Sequence, residues 1–214
     1  MTISVKAQSL LEKLPARLGD VRNIAKEIKK DHELALELWD SGIFAARMRA
    51  ILIMDKKQIS QEFVNKFEKD SNIHTPEEQN QLIDWLMANQ LSKDRSTIAL
   101  MESWEDSEFL LQRRIFWYYQ GRLRWVGQTP PPNSSYLLTS IEQKLENEHP
   151  HVQWAMNFTA AQIGIYEPRF RDRCIALGER TGLYKDEVVA KNCTPSYLPD
   201  YIATQVAKLK KAGK

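Results

Sequence analysis

The sequence predicts an all-α fold, and three observations favour it. Apolar residues recur with a helical period in almost every segment, whereas the alternation typical of strands is nearly absent. Residues that favour helices, namely Leu, Ala, Glu, Lys and Gln, recur throughout the chain. Only 8 of the 214 residues are glycine, so few positions would interrupt a helix.

The apolar period and the helix-start signals place the predicted helices. The clearest start is Thr75-Pro76-Glu77-Glu78, where Thr75 can cap the helix and Glu78 can complete a capping box. The three prolines of QTPPPNSS (128–135) cannot continue a helix, so we expect a stiff connector there. The predicted helices cover residues 4–14, 19–30, 32–40, 43–54, 58–68, 76–90, 94–103, 107–120, 135–147, 150–164, 167–181 and 197–211.

Similar helix pairs recur along the chain. The segments 37–53 and 102–119 each contain a helix with tryptophan near its end, a turn with serine and acidic residues, and a second helix with arginines in its first half. A third unit (146–161) follows about 41 residues after the second, a spacing typical of HEAT repeats. Because such units bury their apolar faces against their neighbours, we predict one HEAT-like α-solenoid domain of stacked antiparallel helix pairs over 1–214, with 128–135 as an internal connector.

The composition limits the class of protein. Hydrophobic residues make up 43% of the chain and charged residues 27%, as in globular proteins. No apolar run approaches the roughly 18 to 20 residues that span a membrane, and the first residues lack the apolar core of a signal peptide. We therefore expect a cytoplasmic protein. We also expect a monomer. The net charge of +2 is only mildly basic, so a surface that binds nucleic acid would need a local cluster of Lys and Arg.

The stretch FLLQRRIFWYYQGRLRW (109–125) combines arginines with aromatic residues. On a helical wheel Arg113, Trp117 and Gln120 share one side, which Arg124 joins if the helix continues that far. Arginine on such a side could bind phosphate while tryptophan packs against a sugar or base. Alternatively, the arginines lie over tryptophan rings and pair with nearby carboxylates within the protein. The residues alone leave both interpretations open.

Few other residues suggest a catalytic site. The sequence contains no GxxxxGK[ST], GxGxxG, GxSxG or HExxH motif. The cysteines have no spacing typical of a zinc or redox site, and we expect them to be reduced. The histidines have no spacing typical of metal ligands. We expect neither a metal nor a cofactor. The cysteines are Cys174 and Cys193, and the histidines are His32, His74, His149 and His151.

Four stretches resemble the DNA alkylation repair proteins, typified by the AlkD-type DNA glycosylases built from HEAT-like repeats. These are residues 19–55, 104–116, 152–182 and 192–202, which follow the order of the family. The resemblance implies a HEAT-like fold that binds double-stranded DNA, including alkylated DNA, on a concave basic face. It also implies hydrolysis of the N-glycosidic bond of purines alkylated at N3 or N7, without metal or cofactor.

The resemblance also implies the candidate catalytic residues. Arg113 in LLQRR matches an arginine that the family places near the DNA backbone. Phe158 in VQWAMNF matches an aromatic position at which the family's glycosylases have tryptophan. Active members also have a tryptophan followed four residues later by an aspartate, and DSNIHTPEEQNQ (70–81) is the corresponding stretch here.

The stretch 70–81 can be matched to that tryptophan and aspartate in two registers. One register places Ile73 and Glu77 at the two positions, and the other places Thr75 and Gln79 there. Neither register keeps the pair. Glu77 is therefore the candidate carboxylate of the site.

Two arginine-rich segments, RMR (47–49) and QRR (112–114), lie on second helices of successive pairs. Second helices usually line the same face of a solenoid, which favours a DNA-binding face. Two alternatives to a glycosylase remain: a DNA-binding protein without catalysis, and a scaffold that binds proteins. The residues predicted to contact DNA are Arg47, Arg49, Arg113, Arg114, Trp117, Gln120, Arg122 and Arg124.

Overall fold

The computed structural model describes residues 3–13, 18–125 and 128–213. Within these ranges the protein forms twelve α-helices and no strand, which confirms the all-α prediction. None of the described helices is long and apolar enough to cross a membrane. The helices are α1 (Val5–Glu12), α2 (Leu18–Ile28), α3 (His32–Asp40), α4 (Phe44–Ile53), α5 (Gln61–Ser71), α6 (Pro76–Asn89), α7 (Arg95–Glu102), α8 (Leu110–Arg122), α9 (Ser134–Lys144), α10 (Pro150–Tyr166), α11 (Arg171–Thr181) and α12 (Leu198–Lys211).

Each helix overlaps one predicted helix, and the differences lie at the ends. The helix predicted over 58–68 begins at Gln61, because the Ser60 hydroxyl accepts a hydrogen bond from the Phe63 N–H and caps α5 there. Residues 56–58 form a separate 3-10 turn. Residue 14, at the end of the first predicted helix, lies outside the described residues.

The capping box predicted at the start of α6 is confirmed. The Thr75 hydroxyl accepts a hydrogen bond from the Glu78 N–H at 3.3 Å. The Glu78 carboxylate in turn accepts one from the Thr75 N–H, also at 3.3 Å. Pro76 occupies the first turn, where its missing N–H costs no hydrogen bond. Local chemistry alone therefore fixes where α6 starts.

The chain divides into two compact units, Met1–Leu111 and Gln112–Lys214. In the first unit α4 packs against α2, α3 and α6, around buried side chains such as Leu38, Ile51 and Ile83. In the second unit α10 packs against α9, α11 and α12. Residues 128–133 lie outside any helix, as their prolines require. The single domain over 1–214 stays a prediction.

Candidate nucleic-acid interface

The side of α8 predicted to contact DNA faces the interior of the second unit. Trp117 and Arg124 are each 1% exposed, and Gln120 is 4% exposed. Protein atoms surround these three side chains, so in this structure DNA cannot reach them. This finding corrects the prediction that they bind DNA, and it favours the alternative in which this side of the helix belongs to the protein's own packing.

Arg124 is the centre of a buried polar network. Its Nε donates to the Glu167 carboxylate at 3.1 Å, and its Nη1 donates to the Gln120 carbonyl oxygen at 2.6 Å. Its Nη2 donates to the side-chain oxygens of Asn133 at 2.6 Å and Ser134 at 2.9 Å. Burial lowers the pKa of the guanidinium, although Glu167 opposes that shift. Arg124 thus ties the ends of α8 and α10 to the start of α9.

Arg47 and Arg49, on α4 of the first unit, are also buried. Arg47 donates to the carbonyl oxygens of Trp39 at 3.1 Å and Asp70 at 2.6 Å, and its guanidinium lies 4.5 Å above the Trp39 ring. Arg49, which is 0% exposed, donates to the Leu10 carbonyl oxygen at 3.0 Å. Their predicted DNA contacts are therefore corrected as well, because both guanidinium groups are used inside the fold.

A different side of α8, offset by one residue, carries aromatic side chains toward the surface. Tyr118 and Arg122 are half-buried, one turn apart, and Trp125 is exposed. The Arg122 guanidinium lies 4.5 Å from the centre of the Trp125 ring and 5.7 Å from that of Tyr118. Stacking of a guanidinium on aromatic rings at these distances is favourable and still leaves its N–H groups at the edge.

Two rings of α10 adjoin this side of α8. Trp154 and Phe158 are nearly parallel, with ring centroids 5.6 Å apart and an interplanar angle of 12°. Tyr118 meets Phe158 at 5.1 Å and Trp154 at 5.7 Å. All three rings are half-buried. We call Tyr118, Arg122, Trp125, Trp154 and Phe158 the aromatic surface.

The aromatic surface depends on a close approach of α8 and α10. A Cβ atom at Gly121 would lie 2.7 Å from Cδ1 and from Cε1 of Phe158, closer than real contacts allow. The Thr159 hydroxyl donates a hydrogen bond to the Trp117 carbonyl oxygen. Arg114, predicted to bind DNA, is buried beneath the surface. It donates to the His151 carbonyl oxygen at 3.0 Å and lies 4.7 Å from the Trp154 ring, so it supports that ring from inside.

A cavity of about 380 Å³ adjoins the aromatic surface. Its lining includes Trp125, Phe158, Tyr166, Tyr201 and Lys208. Lys208 begins the basic last turn of α12, where three lysines are exposed to solvent. These lysines are Lys208, Lys210 and Lys211. The second unit therefore places exposed Trp125, half-buried aromatic rings and Lys208 around one concavity.

The remaining predicted site residues lie in two places. Arg113 makes a two-pronged ion pair with Glu148, with Nε at 3.2 Å and Nη2 at 3.1 Å from its two carboxylate oxygens. The Arg113 side chain is 21% exposed, so it could meet a phosphate at its rim. Glu77 belongs to the first unit and is exposed in the first turn of α6. Among the described residues, no group of three or more His, Cys, Asp or Glu side chains is placed to hold a metal ion.

The first unit has a cavity of about 990 Å³ with an acidic rim. Its apolar lining includes Trp39 and Phe67, whose rings stack 4.2 Å apart. Lys66 is paired there with Asp70 and approaches Asp40. The field of this cavity repels phosphate, so we do not place the nucleic-acid interface there. The carboxylates that line it are Glu33, Glu37, Asp40 and Asp70.

Comparison with known protein families gives a match over residues 12–181 to the family described as DNA alkylation repair enzyme. The chain belongs to this family. A relative in Listeria innocua, the uncharacterised protein Lin0241, is 24% identical over 190 residues, which cover 87% of this chain and 79% of the relative. The predicted family membership is thereby confirmed.

A solved structure similar to the chain comes from work described as "A new family of proteins related to the HEAT-like repeat DNA glycosylases with affinity for branched DNA structures". The TM-score is 0.66 at 19% identity, and the alignment covers 98% of this chain and 89% of the other. This likeness confirms the HEAT-like helical fold.

Within the family's pattern, Phe158 is the predicted site residue that the structure places on an accessible aromatic surface. Sequence reasoning missed its neighbours Tyr118, Trp125 and Trp154. A spacing of four residues could have indicated them, because residues four apart lie on the same side of a helix. Arg114, Tyr118 and Arg122 have this spacing on α8, and Trp154 and Phe158 have it on α10.

Proposed function

We propose that the protein binds DNA and that its aromatic surface stacks on unpaired bases. The observation that carries this proposal is the parallel pair of Trp154 and Phe158 with Tyr118 at its edge. Proteins that bind unpaired nucleic acid stack bases on such rings, and the contact tolerates any sequence because every base has a π face. We expect the protein to act as a cytoplasmic monomer.

Cationic side chains next to the rings would hold the backbone. The Arg122 guanidinium lies over the Tyr118 and Trp125 rings, which restricts its position while the side chain stays half-buried. Lys208, in the basic last turn of α12, lines the same cavity. Contacts of this kind with phosphate position the nucleic acid without reading its sequence.

Branched DNA is the substrate class that this surface suits best. A regular duplex keeps its bases stacked inside, whereas a junction or flap has bases at the branch point that can leave the stack at lower cost. The solved structural neighbour comes from work that describes affinity for branched DNA structures. We therefore expect a preference for branch points over plain duplex.

The test compares three labelled DNAs of equal length, namely a plain duplex, a three-way junction and a flapped duplex, by fluorescence anisotropy. We expect the junction and the flap to bind more tightly than the duplex. We also expect affinity to fall with salt, with a slope that reports the phosphates neutralised. Equal affinity for all three DNAs would contradict the proposed preference for branch points. No binding at low salt would contradict the proposed DNA binding itself.

A pair of variants locates the binding surface. Trp154→Ala removes one ring of the stacked pair and should lower junction affinity about 5- to 100-fold, as alanine substitution of a stacking ring does. Tyr136→Ala is the matched control, because Tyr136 is an exposed aromatic residue on α9 outside the aromatic surface. Similar losses in the two variants would place the interface elsewhere.

A second candidate function is hydrolysis of the N-glycosidic bond of N3- or N7-alkylated purines. The match to the family described as DNA alkylation repair enzyme favours it. Arg113, Phe158 and Glu77 are its proposed residues. Glu77 is exposed in the first turn of α6.

Base release from methylated duplex DNA tests this candidate. Release of 7-methylguanine or 3-methyladenine should exceed a heat-depurination control and fall sharply in Arg113→Ala. Glu77→Gln would show whether this carboxylate stabilises positive charge at the sugar. If the wild-type chain releases no more base than the control, the glycosylase proposal fails and the DNA-binding proposal is unaffected.

A further inference from the structure

A small cavity lies beside the stacked rings of the aromatic surface. Its volume is about 60 Å³. One wall is formed by Trp154 and Phe158, and another by Tyr201 of α12. This space is large enough for a water molecule or a small polar group. Its lining residues are Trp154, Asn157, Phe158, Ala161, Ser196 and Tyr201.

Asn157 contributes a buried amide to this cavity. Its side chain is 3% exposed, and its Nδ2 donates a hydrogen bond to the Ser196 carbonyl oxygen at 2.8 Å. A carbonyl oxygen only accepts hydrogen bonds, so the nitrogen of the amide must face Ser196. The orientation of the amide is therefore fixed, and Oδ1 is directed away from Ser196.

Asn157 Oδ1 has no hydrogen-bond partner among the described residues. Buried side-chain acceptors are almost always satisfied, and one that is not calls for an explanation such as a ligand. The position of Ser196 is itself held, because its N–H donates to the Glu187 carboxylate at 2.6 Å. The amide is thus held at the edge of the cavity with an acceptor that lacks a donor, and a donor reaches Oδ1 only when a neighbouring side chain shifts, because Oδ1 is closed to solvent.

We propose that this cavity receives the exocyclic amino group of an unpaired base that stacks on the aromatic surface. Asn157 Oδ1 would accept a hydrogen bond from that amino group. The inference rests on the proposed DNA-binding function and adds the class of base that the site selects. The ring of the base remains outside against Trp154 and Phe158, and only its amino edge enters.

The chemistry of the acceptor sets the selectivity. Adenine, cytosine and guanine carry an exocyclic amino group with an N–H directed outward. Thymine has no amino group; its one donor on this edge, N3–H, lies between two carbonyl oxygens, which would meet Asn157 Oδ1 with like partial charge. A site that hydrogen-bonds an amino group rejects an analogue without one, because its own buried polar group is then left unpaired.

The sharpest test changes the DNA and not the protein. Three-way junctions would carry one unpaired nucleotide at the branch point, either adenine, purine without the amino group, or thymine. We expect the purine junction to bind the wild-type chain about 3- to 10-fold more weakly than the adenine junction, the size of one hydrogen bond. The thymine junction should bind at least as weakly as the purine junction.

An Asn157→Leu chain completes the test. Leucine removes the acceptor at similar volume, so the ratio of adenine to purine affinity should fall to about one. Unchanged discrimination in this variant would assign the selectivity to another group and overturn the proposal. If Asn157→Leu does not fold, the comparison of DNAs on the wild-type chain still decides.

The outcomes separate this inference from the proposed function. Equal affinity of the wild-type chain for adenine and purine junctions, as expected if the cavity holds only water, would overturn the inference while leaving branched-DNA binding intact. Failure to bind any junction would contradict both the inference and the proposed DNA-binding function. A preference for adenine over purine that disappears in Asn157→Leu would support both.

Discussion

Trp154 and Phe158 lie one turn apart on α10 with their rings nearly parallel, at 5.6 Å and 12°. Tyr118 closes the edge of this pair from α8. Because three rings contact one another, each has little freedom to rotate away. A base that stacks here therefore meets a surface that is already ordered, which lowers the entropy lost on binding.

Phe158 should contribute to DNA binding through its ring and not through its apolar volume. We expect Phe158→Leu to lower affinity for junction DNA about 5- to 100-fold because leucine has no π face, and Phe158→Tyr to keep most of it. Anisotropy measures both, with thermal melting to check the fold. Equal affinities of the leucine and tyrosine chains would show that stacking on Phe158 does not matter.

Gly121→Ala should destabilise the second unit and weaken DNA binding together. Its Cβ would lie 2.7 Å from two atoms of Phe158, so the ring or the helix must move, at a cost of about 1–3 kcal/mol. Gly19→Ala is the control, since nothing lies within 4 Å of a Cβ there. It should be neutral or stabilising by up to about 1 kcal/mol. Urea unfolding measures both, and similar effects would argue against the close approach.

Arg124 should be far more important for stability than for binding. Arg124→Met leaves Glu167 without its buried cation, and we expect a loss of about 3–5 kcal/mol in the free energy of unfolding. Arg169 approaches the same carboxylate at 3.6 Å but is 70% exposed. Arg169→Met should therefore cost less than about 1 kcal/mol. Chemical denaturation of the two variants would contradict this account if the losses were alike.

His74 should make the protein less stable in mild acid. Burial lowers its pKa from 6.5, Arg47 lowers it further, and Glu78 opposes both. A base whose pKa is lower in the folded state binds protons more readily when unfolded, so stability falls as pH drops through 6.5 toward the folded pKa. The melting temperature should fall between pH 7.5 and pH 5.5 by more in the wild-type chain than in His74→Gln. An unchanged loss in the variant would assign the effect to other groups.

The two cysteines should differ in reactivity. Burial raises the pKa of the Cys174 thiol to about 12, whereas Cys193 is exposed. Since the thiolate is the reactive form, iodoacetamide at neutral pH should label Cys193 first and Cys174 only after unfolding. Mass spectrometry of the labelled peptides measures this. Labelling of both at similar rates in the native protein would contradict the burial of Cys174.

The helices could be predicted from the sequence because their determinants are local. Apolar period, caps such as Thr75 and Ser60, and the prolines of 128–135 act over a few residues, and each helix of the structure overlaps a predicted one. The error at the start of α5 came where a cap competed with the apolar period. There the helix predicted from the apolar period starts at residue 58, before the capping residue Ser60.

The orientation of α8 could not be predicted in the same way. Two sides of this helix carry arginine and aromatic residues one turn apart: Arg113 with Trp117, and Arg114 with Tyr118. On the first side, Arg124 bonds to Glu167, which lies 43 residues away in sequence. A helical wheel contains no such partner, so it cannot separate a phosphate-binding arginine from one that bonds within the protein.

Gly121 and Phe158 form a linked pair. A side chain at position 121 would need the space that the Phe158 ring fills, so the two positions cannot vary independently. Among relatives, glycine at the first position together with an aromatic residue at the second would mark chains that keep this surface. A bulkier residue at the first would mark chains that have lost it. Family members could thus be sorted by whether they keep the aromatic surface before any of them is purified.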